Sequence, residues 1–233
     1  MPAFKWSELI QEPIDPAHSP AKGRVYRGEK IGVERCVYPA GSAAKPHAAS
    51  YEQIHCILRG RAAYRVGEEE RTVGPGEAVL IRAKTEGSLR TLEETEVMGF
   101  RDVGPVAAVP PSGGTKGAAF FRWDEMKSDF ITPKYSSGRG PTVSGDRIEV
   151  AFMFYPAGTE AKPHSHPNEQ IQVALKGKVR YVIGGQDHVV GPEGGILMPI
   201  GVEHSVHVLE DYTVINCKDV VPGFSVYDAA WKK

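Results

Sequence analysis

An internal repeat is the feature that most constrains the fold of this 233-residue chain. The segment Tyr38-Pro-Ala-Gly41 recurs as Tyr155-Pro-Ala-Gly158, and Ala44-Lys-Pro-His47 recurs as Ala161-Lys-Pro-His164. The offset is 117 residues in both cases, and no gap is needed to align the two halves. A constant offset of this length is typical of a tandem duplication, in which two copies of one domain follow each other.

Each copy has the sequence pattern of a β domain. Short apolar or alternating runs such as Ile148–Tyr155 and Ile171–Leu175 are separated by Gly-Gly, Gly-Pro and Pro-x-Gly turns. Evenly spaced short strands are typical of sandwiches and barrels, and not of alternating strands and helices. The sequence therefore predicts an all-β protein with domains at 1–109 and 118–233, joined by a Pro- and Gly-rich linker around Gly104–Ala119.

The charge balance and the cysteines narrow the functional classes. The 28 basic residues are matched by 29 acidic ones, which argues against a nucleic-acid-binding protein because such proteins usually carry a basic excess. No apolar run approaches the roughly 20 residues that cross a bilayer, and the first residues lack the apolar stretch of a secretory signal. Three cysteines without a CxxC pair do not indicate a disulfide framework. We therefore expect a cytoplasmic protein with a small-molecule ligand and no nucleic-acid or membrane partner.

The second copy concentrates residues of the types that bind metals. His164 and His166 are two residues apart, so in a strand their side chains point to the same face. Gln170 re-enters with the same parity after a turn, and His204 follows a Pro-x-Gly turn on a later strand that a closed barrel would bring alongside. Three imidazoles and an amide oxygen suit one divalent transition metal, for which Fe, Mn, Ni, Zn and Co are all compatible. The alternative is that these histidines are surface or hydrogen-bonded residues without a ligand.

This spacing resembles the two motifs of the cupin superfamily. The first, G-x5-H-x-H-x3-E-x6-G, matches the segment from Gly158 to Gly177 with Gln170 in place of the Glu. The second, G-x5-P-x-G-x2-H-x3-N, matches Pro199-x-Gly201-x2-His204, while Glu193 and Val208 depart from its leading Gly and its Asn. The resemblance covers nearly the whole chain and implies a bicupin of two double-stranded β-helix (jelly-roll) barrels. It implies a metal site in the second barrel, held by His164, His166, Gln170 and His204.

Two neighbours of Gln170 are further candidates. Glu169 is the nearest carboxylate and the rival fourth ligand, but Gln170 has the motif spacing and the parity of the histidine pair. Glu169 also recurs as Glu52, which favours a structural role. Gln172 lies two residues beyond Gln170 and so faces the cavity, where it either binds a substrate or hydrogen-bonds within the barrel lining. With Gln in place of Glu, the site keeps the full charge of a divalent ion and lacks a carboxylate base beside it.

The first copy lacks this set of ligands. The same repeat frame places His47, Ala49, Gln53 and Gly87 at the four ligand positions, so two donors are missing. We therefore expect a metal-free first barrel that acts as a scaffold, a dimerisation surface or a pocket wall. In this prediction His47 and Gln53 hydrogen-bond to each other or to buried water, and His55, which shares the parity of Gln53, is the residue that could join them.

The Gln variant of the motif looks like that of certain isomerase, lyase and cyclase cupins, which handle enolisable carbonyls or hydroxy acids. The resemblance thus implies a metal-dependent enzyme that acts on a small oxygenated molecule by Lewis-acid chemistry of the isomerase or lyase type. Two alternatives stay open: an iron- or nickel-dependent cupin dioxygenase, and a small-molecule-binding or sensor bicupin without turnover. No catalytic acid or base can be assigned from the sequence, and a homodimer formed through strand edges is a further expectation.

Overall fold

The computed structural model describes residues 2–103, 119–130, 136–222 and 224. The domain boundaries predicted at 109 and 118, and nearly all of the predicted linker, lie outside these residues. The described chain is all-β, as predicted, apart from a 3₁₀ turn at the start of each copy, at Trp6–Glu8 and Trp123–Glu125. Within the described residues no helix has the length and apolar character needed to cross a membrane.

The first copy contributes short strands separated by turns, which suits its many Gly and Pro residues. They are β1 (Ala3–Lys5), β2 (Gln11–Pro13), β3 (Lys22–Arg27), β4 (Ile31–Tyr38), β5 (Ala43–Ala48), β6 (Gln53–Arg59), β7 (Ala62–Val66), β8 (Glu69–Val73), β9 (Glu77–Ile81), β10 (Glu86–Thr91) and β11 (Thr95–Asp102).

The second copy repeats this series and divides one strand near its start. Its strands are β12 (Phe120–Arg122), β13 (Asp129–Phe130), β14 (Arg139–Gly140), β15 (Thr142–Ser144), β16 (Ile148–Tyr155), β17 (Glu160–His164), β18 (Gln170–Lys176), β19 (Val179–Ile183), β20 (Gln186–Val190), β21 (Gly194–Met198), β22 (His204–Val208) and β23 (Tyr212–Asp219).

Each copy forms a barrel from one large and one small antiparallel sheet. In the first barrel the strand orders are β12-β9-β6-β11-β4-β3-β2 and β5-β10-β7-β8. In the second barrel they are β1-β21-β18-β23-β16-β14-β13, with β15 also paired to β16, and β17-β22-β19-β20. Side chains from the large and small sheets of each copy share one apolar interior. The duplication and the two-barrel jelly-roll fold predicted from the sequence are confirmed.

The large sheets are buried on both faces because the two barrels pack against each other through them. On β16, Val150 faces the apolar layer between the barrels, whereas Ala151 and Met153 face the interior of the second barrel. On β4 of the first barrel, Val33 faces the apolar layer and Cys36 faces the interior of the first barrel. A strand with two buried faces needs an almost continuous apolar run, which is why Ile148–Tyr155 shows little alternation.

The two copies exchange their first strands. Strand β1 of the first copy pairs with β21 of the second, with Phe4 opposite Gly195, and β12 of the second copy pairs with β9 of the first, with Phe121 opposite Ala78. The tryptophans that follow, Trp6 and Trp123, are buried in the apolar layer between the barrels. Each large sheet is therefore completed by a strand from the other copy.

A pair of glutamates ties the barrels together at their edges. The Glu169 carboxylate accepts hydrogen bonds from three backbone N–H groups of the first copy, at residues 29–31, over 2.8–2.9 Å. The Glu52 carboxylate accepts three from residues 146–148 over 2.9–3.1 Å. Each carboxylate lies where a Cβ on the preceding glycine, Gly28 or Gly145, would have to be. The structural role predicted for Glu169 is thus what its contacts provide.

The substitution Glu169→Gln should destabilise the protein by about 2 kcal/mol, because one charge-assisted acceptor is replaced by an amide that faces N–H donors. Urea denaturation of the variant would measure this loss. Glu70→Gln on exposed strand β8 is the matched control and should change the free energy of unfolding little. An unchanged stability in Glu169→Gln, together with loss of a bound metal, would instead indicate that Glu169 is a ligand.

Candidate metal centre

The four predicted ligands lie at one end of the second barrel because the strand ends that carry them are neighbours. His164 ends β17 and lies opposite His204, which begins β22 in the adjacent strand of the small sheet. Gln170 begins β18 of the large sheet, and His166 is in the short connection between β17 and β18. The connection is short enough that His166 stays close to both His164 on the small sheet and Gln170 on the large sheet.

The three histidines form a compact cluster. One ring nitrogen from each of His164, His166 and His204 lies within 4.8 Å of the others. The ring centroids are 4.4 Å apart for His164 and His204, 4.9 Å for His166 and His204, and 6.1 Å for His164 and His166. Three imidazoles this close can place one nitrogen each on a single ion.

Backbone carbonyls fix the tautomer of each ring. The Nδ1 atom of His164 lies 2.6 Å from the Lys162 carbonyl. The Nδ1 atoms of His166 and His204 lie 2.9 and 3.0 Å from the carbonyls of residues 168 and 202. A carbonyl oxygen only accepts hydrogen bonds, so each Nδ1 donates and the lone pair resides on Nε2. This is the usual orientation of a metal-binding histidine, whose second nitrogen is held by a backbone or carboxylate acceptor.

Burial keeps the cluster uncharged. Desolvation lowers the pKa of His166 to about 3 and that of His204 to about 4, and it also lowers the pKa of His164. The positive charge of Lys218 acts in the same direction on all three rings. Neutral imidazole is the form that binds metals, so the site is in its binding state at neutral pH.

Gln170 supplies a test of whether the cluster suits a cation. Its Oε1 lies 2.9 Å from Nε2 of His166. Because Nδ1 of His166 already carries the proton, this pair brings two acceptor atoms together. Such a contact is stabilised by a cation that both atoms bind, or by a rotated amide that donates from its nitrogen. The donor set, three neutral nitrogens and one amide oxygen, therefore fits a divalent transition metal.

Lys218 is the functional candidate that sequence reasoning missed. It lies on β23 directly opposite Gln170, is only 2% exposed and lines the same pocket as His164 and His204. Burial lowers the pKa of Lys218 to about 8, against the opposing effect of Glu149 and Asp219. The two-residue period of the strand could have identified it from the sequence. Lys218 is two residues beyond the cavity-lining Asn216, and alternate positions of this strand face inward.

Gln172 lies in the pocket wall, as its parity predicts, but both ends of its amide are engaged. Its Oε1 accepts a short hydrogen bond from the Tyr181 hydroxyl, and its Nε2 donates to Oδ1 of Asn216 over 3.2 Å. Tyr181 is fully buried and its hydroxyl lies 3.4 Å from that of Tyr212. The substrate-binding role of Gln172 stays a prediction, and its hydrogen bonds show that it also orders the lining of the barrel.

The first barrel arranges its corresponding residues differently. Oε1 of Gln53 lies 3.1 Å from Nε2 of His55, and Nδ1 of His55 lies 3.0 Å from the Tyr64 hydroxyl. Of the two alternatives predicted for His47 and Gln53, the direct bond is wrong, because His47 instead contacts Asp15 and stacks on His18. The alternative of bonds to buried water stays a prediction. His55 points into the barrel and contacts the Gln53 amide that His47 was expected to bind.

The buried His55 predicts a pH dependence of stability. Desolvation lowers its pKa to about 4 in the fold, whereas an unfolded histidine titrates near 6.5. Below about pH 6.5 the unfolded state binds more protons than the folded state, so acidification from pH 7 to 4 should remove up to about 3 kcal/mol of stability through this residue. Urea denaturation of wild type and His55→Gln across this range would measure the contribution as the change in their difference. The exposed His207→Gln is the control, and parallel pH profiles for wild type and His55→Gln would contradict the prediction.

Comparisons with known proteins agree with this architecture. The profile of the cupin domain family matches residues 34–98 and 151–215, one stretch in each barrel. AerE from Microcystis aeruginosa has a similar fold, with a TM-score of 0.72, 14% identity, and coverage of 91% of this chain and 98% of AerE. Bacillus subtilis oxalate decarboxylase, studied for its Mn(II) centres, has a TM-score of 0.71 and 13% identity over 94% of this chain and 76% of its own.

At such identities the two structures show the fold alone, and no curated protein matches the sequence. Because the family profile covers more than half of the chain, in one stretch per barrel, the protein belongs to the cupin family, as a bicupin whose three-histidine cluster is found, among the described residues, in the second barrel only.

Proposed function

We propose that this bicupin is a metal-dependent enzyme that acts on a small carbonyl compound or hydroxy acid, by Lewis-acid chemistry of the isomerase or lyase type. The observation that carries the proposal is the convergence of three neutral imidazoles in a pocket that also contains the buried Lys218. Buried titratable groups with shifted pKa values that gather in one pocket are typical of functional sites. The pocket is therefore the place where chemistry is expected.

His164, His166, His204 and Gln170 would hold the ion. When bound, a divalent ion there supplies Lewis acidity, since none of these four ligands carries a negative charge that would offset its own. The donor set is compatible with Mn, Fe, Co, Ni and Zn. The Mn(II) centres studied in oxalate decarboxylase, a protein of the same fold, make Mn(II) one of the first ions to test.

The pocket has the lining for a small molecule but little free space. Its cavity volume is about 30 Å³, room for about two water-sized groups, so a bound molecule would extend into the open mouth. The lining combines polar groups, His164, His204 and Lys218, with apolar side chains that include Met153, Ala161, Met198 and Val206. This combination suits a molecule with a short apolar part and several oxygens.

Lys218 would orient the substrate and serve as its proton partner. A buried ammonium group attracts an anionic oxygen strongly because little water screens it. A carboxylate or enolate oxygen can therefore accept a hydrogen bond from Lys218 Nζ. With its pKa lowered to about 8, Nζ holds a proton at neutral pH yet can release it near that value. Carbonyl and hydroxy acids carry the anionic oxygen that this arrangement recognises.

The two other functions that the sequence left open, a dioxygenase and a sensor, can be distinguished from this one by experiment. A cupin dioxygenase would require Fe(II) or Ni(II) and consume oxygen, and a sensor bicupin would bind a ligand without turnover. Nothing in the pocket favours either over the acid–base chemistry that Lys218 supports. The predicted cytoplasmic location and the predicted homodimer stay predictions.

The substitution His166→Ala should release the ion from the second barrel, because two imidazoles and an amide hold a transition metal poorly. Elemental analysis of protein purified without an affinity-tag metal should show one ion per chain fewer than wild type, with a melting temperature within about 5 °C. His207→Ala is the matched control, since His207 lies outside the cluster and contacts Glu160. Equal metal content in His166→Ala and wild type would contradict the assignment.

The substitution Lys218→Met should leave the metal in place but lower kcat/KM by at least about 100-fold, because it removes the proton donor and the charge that binds an anionic oxygen. A panel of keto and hydroxy acids, followed by NMR under anaerobic conditions and by oxygen uptake in air, provides the assay. The exposed Lys178→Met is the control. Oxygen consumption that depends on Fe(II) would indicate a dioxygenase, and ligand binding without turnover would indicate a sensor.

A further inference from the structure

We propose that the first barrel carries a second cation site, built from Asp15, His18 and His47, which binds a divalent transition-metal ion. One ligand atom from each of these residues lies within 4.8 Å of the others. The residues come from outside the four cupin-frame positions except for His47, so the site is not the degenerate copy of the one in the second barrel. Two imidazoles and one carboxylate on one side of an ion are a common set for Fe(II), Mn(II), Co(II) and Zn(II), with positions left open.

The loop that carries Asp15 and His18 is held rigidly against the strand that carries His47. The backbone N–H of Ile14 donates to the Ala21 carbonyl over 2.9 Å and closes the loop between β2 and β3. The N–H of Lys45 on β5 donates to the His18 carbonyl over 2.8 Å. This bond sets His18 beside His47, and the two rings stack with centroids 4.3 Å apart. The three donors are thus positioned before any ion arrives.

Asp15 has a backbone conformation that is unfavourable for a residue other than glycine. Its φ is +46°, in the left-handed region, which costs most side chains about 1–2 kcal/mol and Asp somewhat less. The backbone N–H groups of residues 18 and 19 both donate to the Asp15 carbonyl and hold it there. In this conformation the carboxylate lies 3.0–3.1 Å from Nδ1 of His18 and 3.3 Å from Nε2 of His47. Strain of this kind is concentrated at ligand sites.

The contacts of His47 favour a positive charge at the cluster. Its Nδ1 lies 3.0 Å from the Lys45 carbonyl and must donate to it. The Nε2 lone pair of a neutral ring then faces Oδ2 of Asp15 at 3.3 Å, which brings two acceptors together. Either a proton on His47 or a bound cation removes this repulsion. His18 meets the same carboxylate through its Nδ1, and one ion bound among the three side chains would replace both of these contacts at once.

A second carboxylate in the same pocket supports a cation. Glu34 lines this pocket together with Asp15 and His47. It is only 7% exposed, and its Oε2 has no hydrogen-bond partner. Arg101, which lines the same pocket, has its Nη1 4.0 Å from this oxygen. Burial raises the pKa of Glu34, Arg101 opposes this shift and the charge of Asp15 adds to it. A divalent ion bound to Asp15 would offset the repulsion between the two carboxylates.

The repeat shows that these donors are specific to the first copy. At the offset of 117 residues, Asp15 and His18 correspond to Thr132 and Tyr135, which are poor metal ligands. Conversely, the second copy has histidines where the first has Ala49 and Gly87. Each copy therefore keeps one shared histidine, His47 or His164, and completes its set of donors from different positions.

The test uses the full chain with the second-barrel site disabled by His166→Ala and His204→Ala. After chelator treatment, this protein is titrated with Co(II) under equilibrium dialysis, and its absorption spectrum is followed. We expect about one ion per chain and ligand-field bands from nitrogen and oxygen donors. In the same background, His18→Gln and Asp15→Asn should each lower the affinity at least about tenfold. His207→Gln, which alters another histidine–carboxylate pair, should not lower it.

A matched measurement covers the case in which the disabled protein fails to fold. His18→Gln alone should reduce the Co(II) content of the otherwise native chain by one ion and leave the second-barrel ion in place. Absence of stoichiometric Co(II) from the disabled but folded protein would overturn the proposal, as would binding that His18→Gln and Asp15→Asn do not weaken. Because the second barrel is tested in its own variants, its failure to bind metal would leave this result unaffected.

Discussion

The apolar layer between the two large sheets is the contact on which the rest of the structure depends. It buries the outer face of each large sheet, while the inner face of the same sheet lines a barrel. Two features fix the position of one copy relative to the other. These are the exchange of β1 and β12 and the reciprocal hydrogen bonds of the Glu52 and Glu169 carboxylates. Neither copy has a complete large sheet without the other. The ends of strands that carry the functional side chains are therefore held in place by both halves of the chain.

The same burial that stabilises the second barrel also sets the chemistry of its pocket. Desolvation keeps His164, His166 and His204 neutral and lowers the pKa of Lys218 to about 8. In water these groups would differ little from ordinary histidines and lysines. Inside the barrel the imidazoles take the neutral form that can bind a cation, and Lys218 acquires a pKa suited to the proton transfer that we propose. A site of this kind depends on exclusion of water more than on any single residue.

Duplication left two barrels with one frame and different contents. The motif positions remain occupied by donors in the second barrel, whereas Ala49 and Gly87 replace two of them in the first. The first barrel instead contains an inward hydrogen-bond chain, from Gln53 through His55 to Tyr64, and the cluster of Asp15, His18 and His47. The first barrel supports the candidate metal centre of the second barrel by packing against it, so the residues inside the first barrel can differ without loss of that centre.

The amino-acid sequence by itself determined the duplication, the all-β class and the spacing of His164, His166, Gln170 and His204. These features are local or follow the two-residue period of strands, so the order of residues is sufficient to reveal them. Only the tertiary structure decided that the first strands cross between barrels, that Glu169 binds the backbone of the other copy, and that Lys218 lies opposite Gln170. It also decided that His47 meets Asp15 and His18 and does not meet Gln53. Each of these contacts joins segments far apart along the chain, and their meeting depends on how whole sheets pack.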